Sequence, residues 1–275
     1  MAKISAVVNT LNEENNIAFC LEALKWCDEI IVVDMQSEDR TVEIASNFTD
    51  KIYSFERVGY VEPARKFAVE QATGEWILIV DADEMVQYSL AKTLVETASK
   101  GDADVVFIPF KNYLMGAWIR HTGWWPDYHP RFFKKDKIQF SDMIHSEFVI
   151  DKAANKLYLL PTSPNCIEHF AYRDSEHFIA KLNRYTTVEA MNMLQQGRKF
   201  SFFRMCVAGI RGFQVRFFNN QGFRDGIRGF FLSLLMGIYR MVVYIKLWEL
   251  HENGTVSVQD KYALRKKAIM KEFII

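Results

Sequence analysis

The sequence predicts an α/β fold on a largely parallel sheet, because over roughly its first hundred residues short β-rich runs alternate with spacers long enough for crossover helices. The runs are Ile4–Thr10 (ISAVVNT), Glu29–Asp34 (EIIVVD), Lys51–Phe55 (KIYSF) and Glu75–Asp81 (EWILIVD). The spacers are Asn15–Trp26, Asp39–Asn47 and Tyr60–Ala72. Open sheets of this kind bind ligands beyond the carboxyl ends of their strands. That rule selects Asn9, Thr10, Asn12, Glu13, Asp34, Asp81 and Asp83.

From Asp104 to about Pro161 the pattern turns irregular and aromatic, with DVVFIPF and RFFKK reading as strands and GWWPDYHP as a loop. A polar helix is expected over Asp174–Gln196, followed by a basic aromatic region and a charged tail near Tyr262–Phe273.

Composition narrows the class. At 275 residues, 49% hydrophobic and 25% charged, the chain is globular rather than disordered or collagen-like. Thirty-four basic residues balance thirty-four acidic ones, so total charge argues for no anionic partner. The four cysteines form no CxxC pair and no zinc spacing, which points to a reduced compartment. No leader pattern precedes the first strand, and a cytoplasmic location is the expectation.

The strongest local signal is the apolar strand Trp76–Val80 ending in Asp81-Ala82-Asp83-Glu84. Hard divalent cations take oxygen ligands, and carboxylates one residue apart at a strand end can hold a cation together with a diphosphate. On its own a D-x-D reads as a strand leaving the core into a solvated acidic turn. Its company is more specific: Val8-Asn9-Thr10-Leu11-Asn12-Glu13-Glu14 closes the first strand, Val33-Asp34-Met35-Gln36-Ser37-Glu38-Asp39 closes the second, and Pro63-Ala64-Arg65-Lys66 lies one helix before the D-x-D. Over residues 3 to 150 this set resembles the family 2 glycosyltransferases of GT-A fold, nearest the subfamily that builds lipopolysaccharide core.

The resemblance implies a catalytic domain over residues 1–170, its nucleotide-binding half 1–100 and acceptor half 101–170, with a helical extension over 171–275. It implies that Thr10, Asn12 and Glu13 lie along the nucleoside of a UDP-sugar, that Asp34 contacts the base, and that Arg65 approaches the diphosphate or uracil. Asp81 would face the ribose or share the metal, Mn²⁺ or Mg²⁺, with Asp83. Asn12 and Asn15 have the alternative role of helix caps, and Arg65 that of a solvated helix charge. UDP-glucose is the first expected donor.

Inversion needs a general base from the acceptor half, and Glu147, Asp142 and Asp127 are the candidates. Glu147 lies in Met143-Ile144-His145-Ser146-Glu147, similar to a V-H-E segment of the subfamily but with Ser146 inserted, which keeps Asp142 as a rival. His145 is a candidate metal or diphosphate ligand, or else a structural histidine. Trp124 and Trp125 offer flat faces for an acceptor sugar, or pack as a core cluster.

Between Arg198 and Lys246 nine basic residues accompany one acid, Asp225, for a net +8, interleaved with nine phenylalanines. The uncharged span Gly229–Tyr239 is only eleven residues, short of the roughly 20 needed to cross a bilayer. Two or more helices lying in a membrane interface are expected instead, on the cytoplasmic face and near a lipid-linked glycan acceptor; the alternative is packing on the catalytic domain or in a homo-oligomer. So many phenylalanines argue against nucleic acid as the partner. A binding protein of the same fold with weak turnover is the alternative to an enzyme.

Overall fold

The computed structural model describes residues 2–57, 61–139, 149–254 and 258–273. In chain order the elements begin with β1 (Ile4–Thr10), α1 (Ile17–Glu22), β2 (Glu29–Asp34), α2 (Thr41–Ala45), β3 (Ile52–Ser54), α3 (Glu62–Gln71) and β4 (Trp76–Asp81). There follow β5 (Glu84–Val86), α4 (Tyr88–Lys100), β6 (Val105–Leu114), β7 (Ala117–Trp118), β8 (Asp127–Lys134), β9 (Ile138–Gln139), β10 (Val149–Ile150), β11 (Lys156–Tyr158) and β12 (Ile167–Tyr172). The last four are α5 (Ser175–Gln195), α6 (Phe202–Gln214), α7 (Gly226–Asn253) and α8 (Val258–Lys271). They divide into two compact units, Met1–Arg120 with Trp124–Tyr172, and His121–Gly123 with Arg173–Ile275.

The first unit is built on one sheet of order β3-β2-β1-β4-β8-β6-β12-β5, with β7 and β11 also paired to β6. β1 to β4 run parallel, and β8 enters antiparallel to both β4 and β6. Every residue of β1 is buried, as a strand covered on both faces must be. The side-chain period of two divides it: Ala6 and Val8 join Ile17, Leu21, Leu90 and Leu94 on one face, while Val7 joins Ala64, Ala68 and Val69 on the other. Helices α1 and α4 therefore cover one face and α3 the other. Trp76 stacks on Phe132 with ring centroids 4.5 Å apart, which seals the junction between the parallel and antiparallel halves. The expected loop GWWPDYHP is half strand: Asp127–Pro130 open β8, because Phe107–Phe110 of β6 offer a complete ladder to pair with.

In the second unit α7 packs against α6 and α5. Glycines permit close approach to α6: a Cβ on Gly209 would stand 2.5 Å from Met241 Cγ, and one on Gly237 would stand 2.9 Å from the Gly209 carbonyl. Against α5, the Tyr239 hydroxyl donates to Glu189 at 2.8 Å and Arg240 pairs with the same carboxylate at 2.9 Å. Lys246 donates to Asn183 Oδ1 and Thr187 Oγ1, both at 2.7 Å. Arg240 and Lys246 thus do not interrupt the apolar segment. They are absorbed by α5, and α7 runs unbroken for 28 residues, long and apolar enough by length and composition to cross a membrane. From charge spacing alone no helix of that length and composition is expected here, because Arg240 and Lys246 bound the apolar span.

Candidate active site

The strand order reverses direction between β1 and β4, and the crevice at their carboxyl ends is where an open sheet binds its ligand. There Asn9 is the register partner of Asp81, and Thr10 that of Asp34. Both atoms of the Asn9 amide, Thr10 Oγ1, Asp34 Oδ1 and Asp81 Oδ1 are buried without a hydrogen-bond partner among the described residues. A polar group left so costs about 1–3 kcal/mol, and native proteins leave few of them. Five at one strand edge fit a polar ligand that completes them.

The loops after β1 and β2 are tied to each other. The Asn12 amide donates to Ser37 Oγ at 2.8 Å, its side-chain oxygen accepts from the Glu38 amide at 2.8 Å, and the Glu13 amide donates to Thr41 Oγ1 at 2.8 Å. Asn12 has φ +55°, a left-handed conformation that Asn tolerates better than most residues. It is a loop bridge rather than a helix cap; α1 starts at Ile17, behind Asn16. The Glu13 carboxylate accepts from Asn16 Nδ2 at 2.6 Å, and Asp34 Oδ2 accepts from the Ser37 amide at 3.0 Å.

Asp81 is held by two guanidinium groups on one oxygen. Arg65 Nη2 contacts Oδ2, and Arg131 Nη2 lies 3.0 Å from that same Oδ2 and 2.7 Å from Glu84 Oε1. Glu84 Oε2 accepts the Asp81 amide at 2.9 Å. Burial alone would raise the Asp81 carboxyl, but Arg65 and Arg131 hold it well below the usual carboxylate range. Burial pushes Glu84 the other way, upward, against the pull of Arg131. The sequence-derived alternative for Arg65, a solvated helix charge, does not hold.

Beyond Asp81 a polar line crosses three strands. His169 Nε2 lies 3.7 Å from Asp83 Oδ2, and its Nδ1 is 2.6 Å from Asn112 Oδ1. Asn112, buried in β6 as the register partner of His169, donates through Nδ2 to Asp127 Oδ2 at 3.3 Å and to the Trp124 carbonyl at 3.1 Å. Asp127 Oδ1 faces His129 Nε2 at 3.2 Å. With the Asn112 amide assigned to satisfy Asp127, its oxygen must accept from Nδ1–H, which directs Nε2 toward Asp83. Burial would lower His169, but Asp83, Glu84 and Asp81 together raise it. Asp127 is lowered, since His129 and Asn112 outweigh its burial.

Among the described residues no group of three or more His, Cys, Asp or Glu side chains forms a metal-holding cluster. Asp83 and His169 are two converging donors of oxygen and nitrogen, and cations of the Mg²⁺ type are held by one or two carboxylates with substrate phosphates and water supplying the rest. The residues fit a cation shared with substrate. Glu147, Asp142 and His145 lie outside the described residues. Trp124 and Trp125 are half-buried, meeting Tyr172 and Trp118 edge to face at 6.1 and 5.3 Å.

Residues 5–159 match the model of glycosyl transferase family 2. The chain belongs to that family. An uncharacterized glycosyltransferase of Rickettsia typhi is 30% identical over 95% of this chain and 92% of its own length. The lipopolysaccharide core biosynthesis glycosyltransferase LpsC of Rhizobium meliloti is 25% identical, covering 90% of this chain and 93% of its own. The crystal structure of S. aureus TarS 1-349 in complex with UDP-GlcNAc covers 92% of both chains at 17% identity, with a TM-score of 0.48. The mostly parallel mixed sheet of this glycosyltransferase is of the GT-A kind, with helices appended at its carboxyl end.

For this glycosyltransferase the sequence reading missed Arg131, Asn112, His169 and His129 as site residues. Each lies on a strand of the antiparallel half, and short strand fragments such as Ile167-Glu168-His169-Phe170 carry no spacing that ties them to Asp83. Arg131 alone had a local signal, a cation heading the apolar pair Phe132-Phe133.

Proposed function

We propose that the chain is an inverting hexosyltransferase that takes a sugar from a UDP-sugar, UDP-glucose first, and passes it to a lipopolysaccharide-core or other lipid-linked glycan. The observation that carries this reading is the line Asp83–His169–Asn112–Asp127 beginning beside the buried acceptors at the carboxyl ends of β1, β2 and β4. In this reading Asp83 and His169 at one end would hold a cation, and the Asp127 carboxylate at the other would face the acceptor. The LpsC likeness supports the acceptor class.

In this reading Asn9, Thr10, Asp34 and Asp81 Oδ1 bind the nucleoside, Arg65 and Arg131 orient Asp81, and Asp83 with His169 would hold Mn²⁺ or Mg²⁺. A bound cation neutralises charge growing on the departing diphosphate. Asn112 keeps the His169 ring in the tautomer that presents Nε2 and steadies Asp127. Asp127, about a third exposed, is the base candidate among the described residues, taking the acceptor hydroxyl proton as the hydroxyl attacks the anomeric carbon from the face opposite the leaving group. Glu147 and Asp142 remain rivals for that task.

A donor screen with and without Mn²⁺ or Mg²⁺, reading release of the nucleoside diphosphate, tests the reading. Metal-dependent turnover of UDP-glucose, or of another UDP-hexose, is expected. Turnover of a non-nucleotide donor alone would overturn it.

A further inference from the structure

We infer that the exposed apolar face of α7, bordered by arginines, seats the helical unit on an anionic lipid surface with the helix lying along that surface. The inference stands apart from the transferase reading, and its test is read without turnover.

Exposed apolar residues on α7 fall at Ile227, Phe230, Phe231, Leu234, Ile238, Ile245 and Trp248. Steps of three, four and seven keep them on one side of a helix, and at about 1.5 Å per residue the stripe is roughly 32 Å long. The other sides are occupied: Gly237 and Met241 meet α6, while Tyr239, Arg240 and Lys246 bond to α5. Ile227 is 63% exposed and Phe231 46% exposed, so the uncovered side of α7 is its most apolar.

Charge decides what covers that stripe. Asp225, the one acid between Arg198 and Lys246, keeps only 7% of its side chain exposed, because it accepts from the His121 amide and the Thr122 hydroxyl. Arg224 and Arg228 are exposed at the amino-terminal end of the stripe, while Glu249 and Glu252 are exposed at its carboxyl-terminal end, so the cationic part of this face is its amino-terminal half, with Arg204 and Arg211 exposed on α6. Lipid phosphates complement the cationic half of this face, in a segment that carries a net +8 between Arg198 and Lys246. The packing of α5 argues against crossing the bilayer. α5 is bonded to α7 at Arg240 and Lys246 and carries the exposed Arg184 between those two contacts, a charge that a spanning α7 would draw toward hydrocarbon.

The test is flotation of the full chain with vesicles of phosphatidylethanolamine and phosphatidylglycerol, against phosphatidylcholine alone. Binding to the anionic vesicles is expected, weakened by salt but not abolished, since ring insertion is not screened. Arg204→Gln, Arg211→Gln and Arg224→Gln together should lower affinity at low salt, by about fivefold per arginine. Phe231→Ser with Leu234→Ser should remove the salt-resistant part while the helical circular dichroism stays unchanged; should that pair unfold, Ile227→Ser at the stripe's most exposed position makes the same test. Absence of flotation, or equal binding to neutral vesicles, overturns the inference. So does a lipid-free dimer that Phe231→Ser with Leu234→Ser dissociates, which would assign the stripe to a second copy. Resistance of the cell-expressed chain to alkaline carbonate extraction also overturns it, in favour of a spanning helix.

Discussion

Arg131 sets Nη2 3.0 Å from Asp81 Oδ2, the same oxygen that Arg65 contacts, and so leaves Oδ1 as the oxygen Asp81 presents. Arg131 also faces Glu84 at 2.7 Å, so it offsets two carboxylates while lying buried itself. Removing one partner of a buried ion pair typically costs about 3–5 kcal/mol, because the abandoned charge stays desolvated. Arg131→Met should therefore lower thermal stability and raise the donor KM. Arg131→Met with Glu84→Gln should recover part of the stability but not the KM. Unchanged donor affinity in a folded Arg131→Met protein would limit Arg131 to a structural role.

Asp83→Ala should abolish metal-dependent turnover with little loss of stability, because Asp83 follows the end of β4, and His169→Ala should abolish it with some loss of stability, because His169 lies within β12, bonds Asn112 and packs edge-on against Phe110. Calorimetric titration of Mn²⁺ in the presence of UDP should show the binding heat disappear in both variants. Asn112→Ala should weaken the same titration and also lower kcat, since its amide contacts His169 and Asp127 alike. A His169→Ala enzyme with wild-type metal dependence would remove His169 from the site.

Asp127→Asn, Glu147→Gln and Asp142→Asn separate the base candidates. The true base should lose about 10²–10⁴ in kcat while donor affinity holds, because the amide keeps the shape but cannot take a proton. Its pH–rate profile should lose the acid limb. Should all three variants keep transfer within a few-fold of wild type, the base is another residue.

Glu29, at the amino end of β2, predicts a pH effect on stability rather than on turnover. Its burial works against ionisation, but Lys51, Ser5 and Thr73 surround the carboxylate and lower it from 4.5 to about 2. A folded value below the unfolded one adds stability above pH 4.5 that is lost as pH falls from 4.5 toward 2. The amount is on the order of 3 kcal/mol at neutral pH. Glu29→Gln should melt lower at pH 7, and its melting temperature should fall less than that of wild type between pH 5 and 3. Parallel acid curves for the two proteins would refute this.

The parallel half was legible in the sequence because its information is local. Ile4–Thr10 and Glu29–Asp34 are strands over the residues expected, and the apolar run Trp76–Val80 delivers Asp81 to the strand end beside Asn9. Buried strands need unbroken apolar runs, crossover helices need spacers, and the polar residues that end each run must then collect on one edge. The antiparallel half resisted such reading. Asp127 reads as a loop residue within GWWPDYHP, yet β6 supplies a ladder that draws it into β8.

By itself, then, the sequence determined the α/β class, the strand-end acids and the family likeness, since periodicity and short motifs are written in neighbouring residues. Only the tertiary structure decided that Arg131 and Arg65 share one oxygen of Asp81, that His169 stands beside Asp83, and that Asn112 joins His169 to Asp127. It likewise decided that α5 bonds Arg240 and Lys246 of α7 and leaves an apolar stripe of that helix exposed. The physical reason is the same throughout. These partners lie far apart in the chain and meet only through strand register and helix packing, which depend on burying whole faces at once and leave no trace in any one stretch of residues.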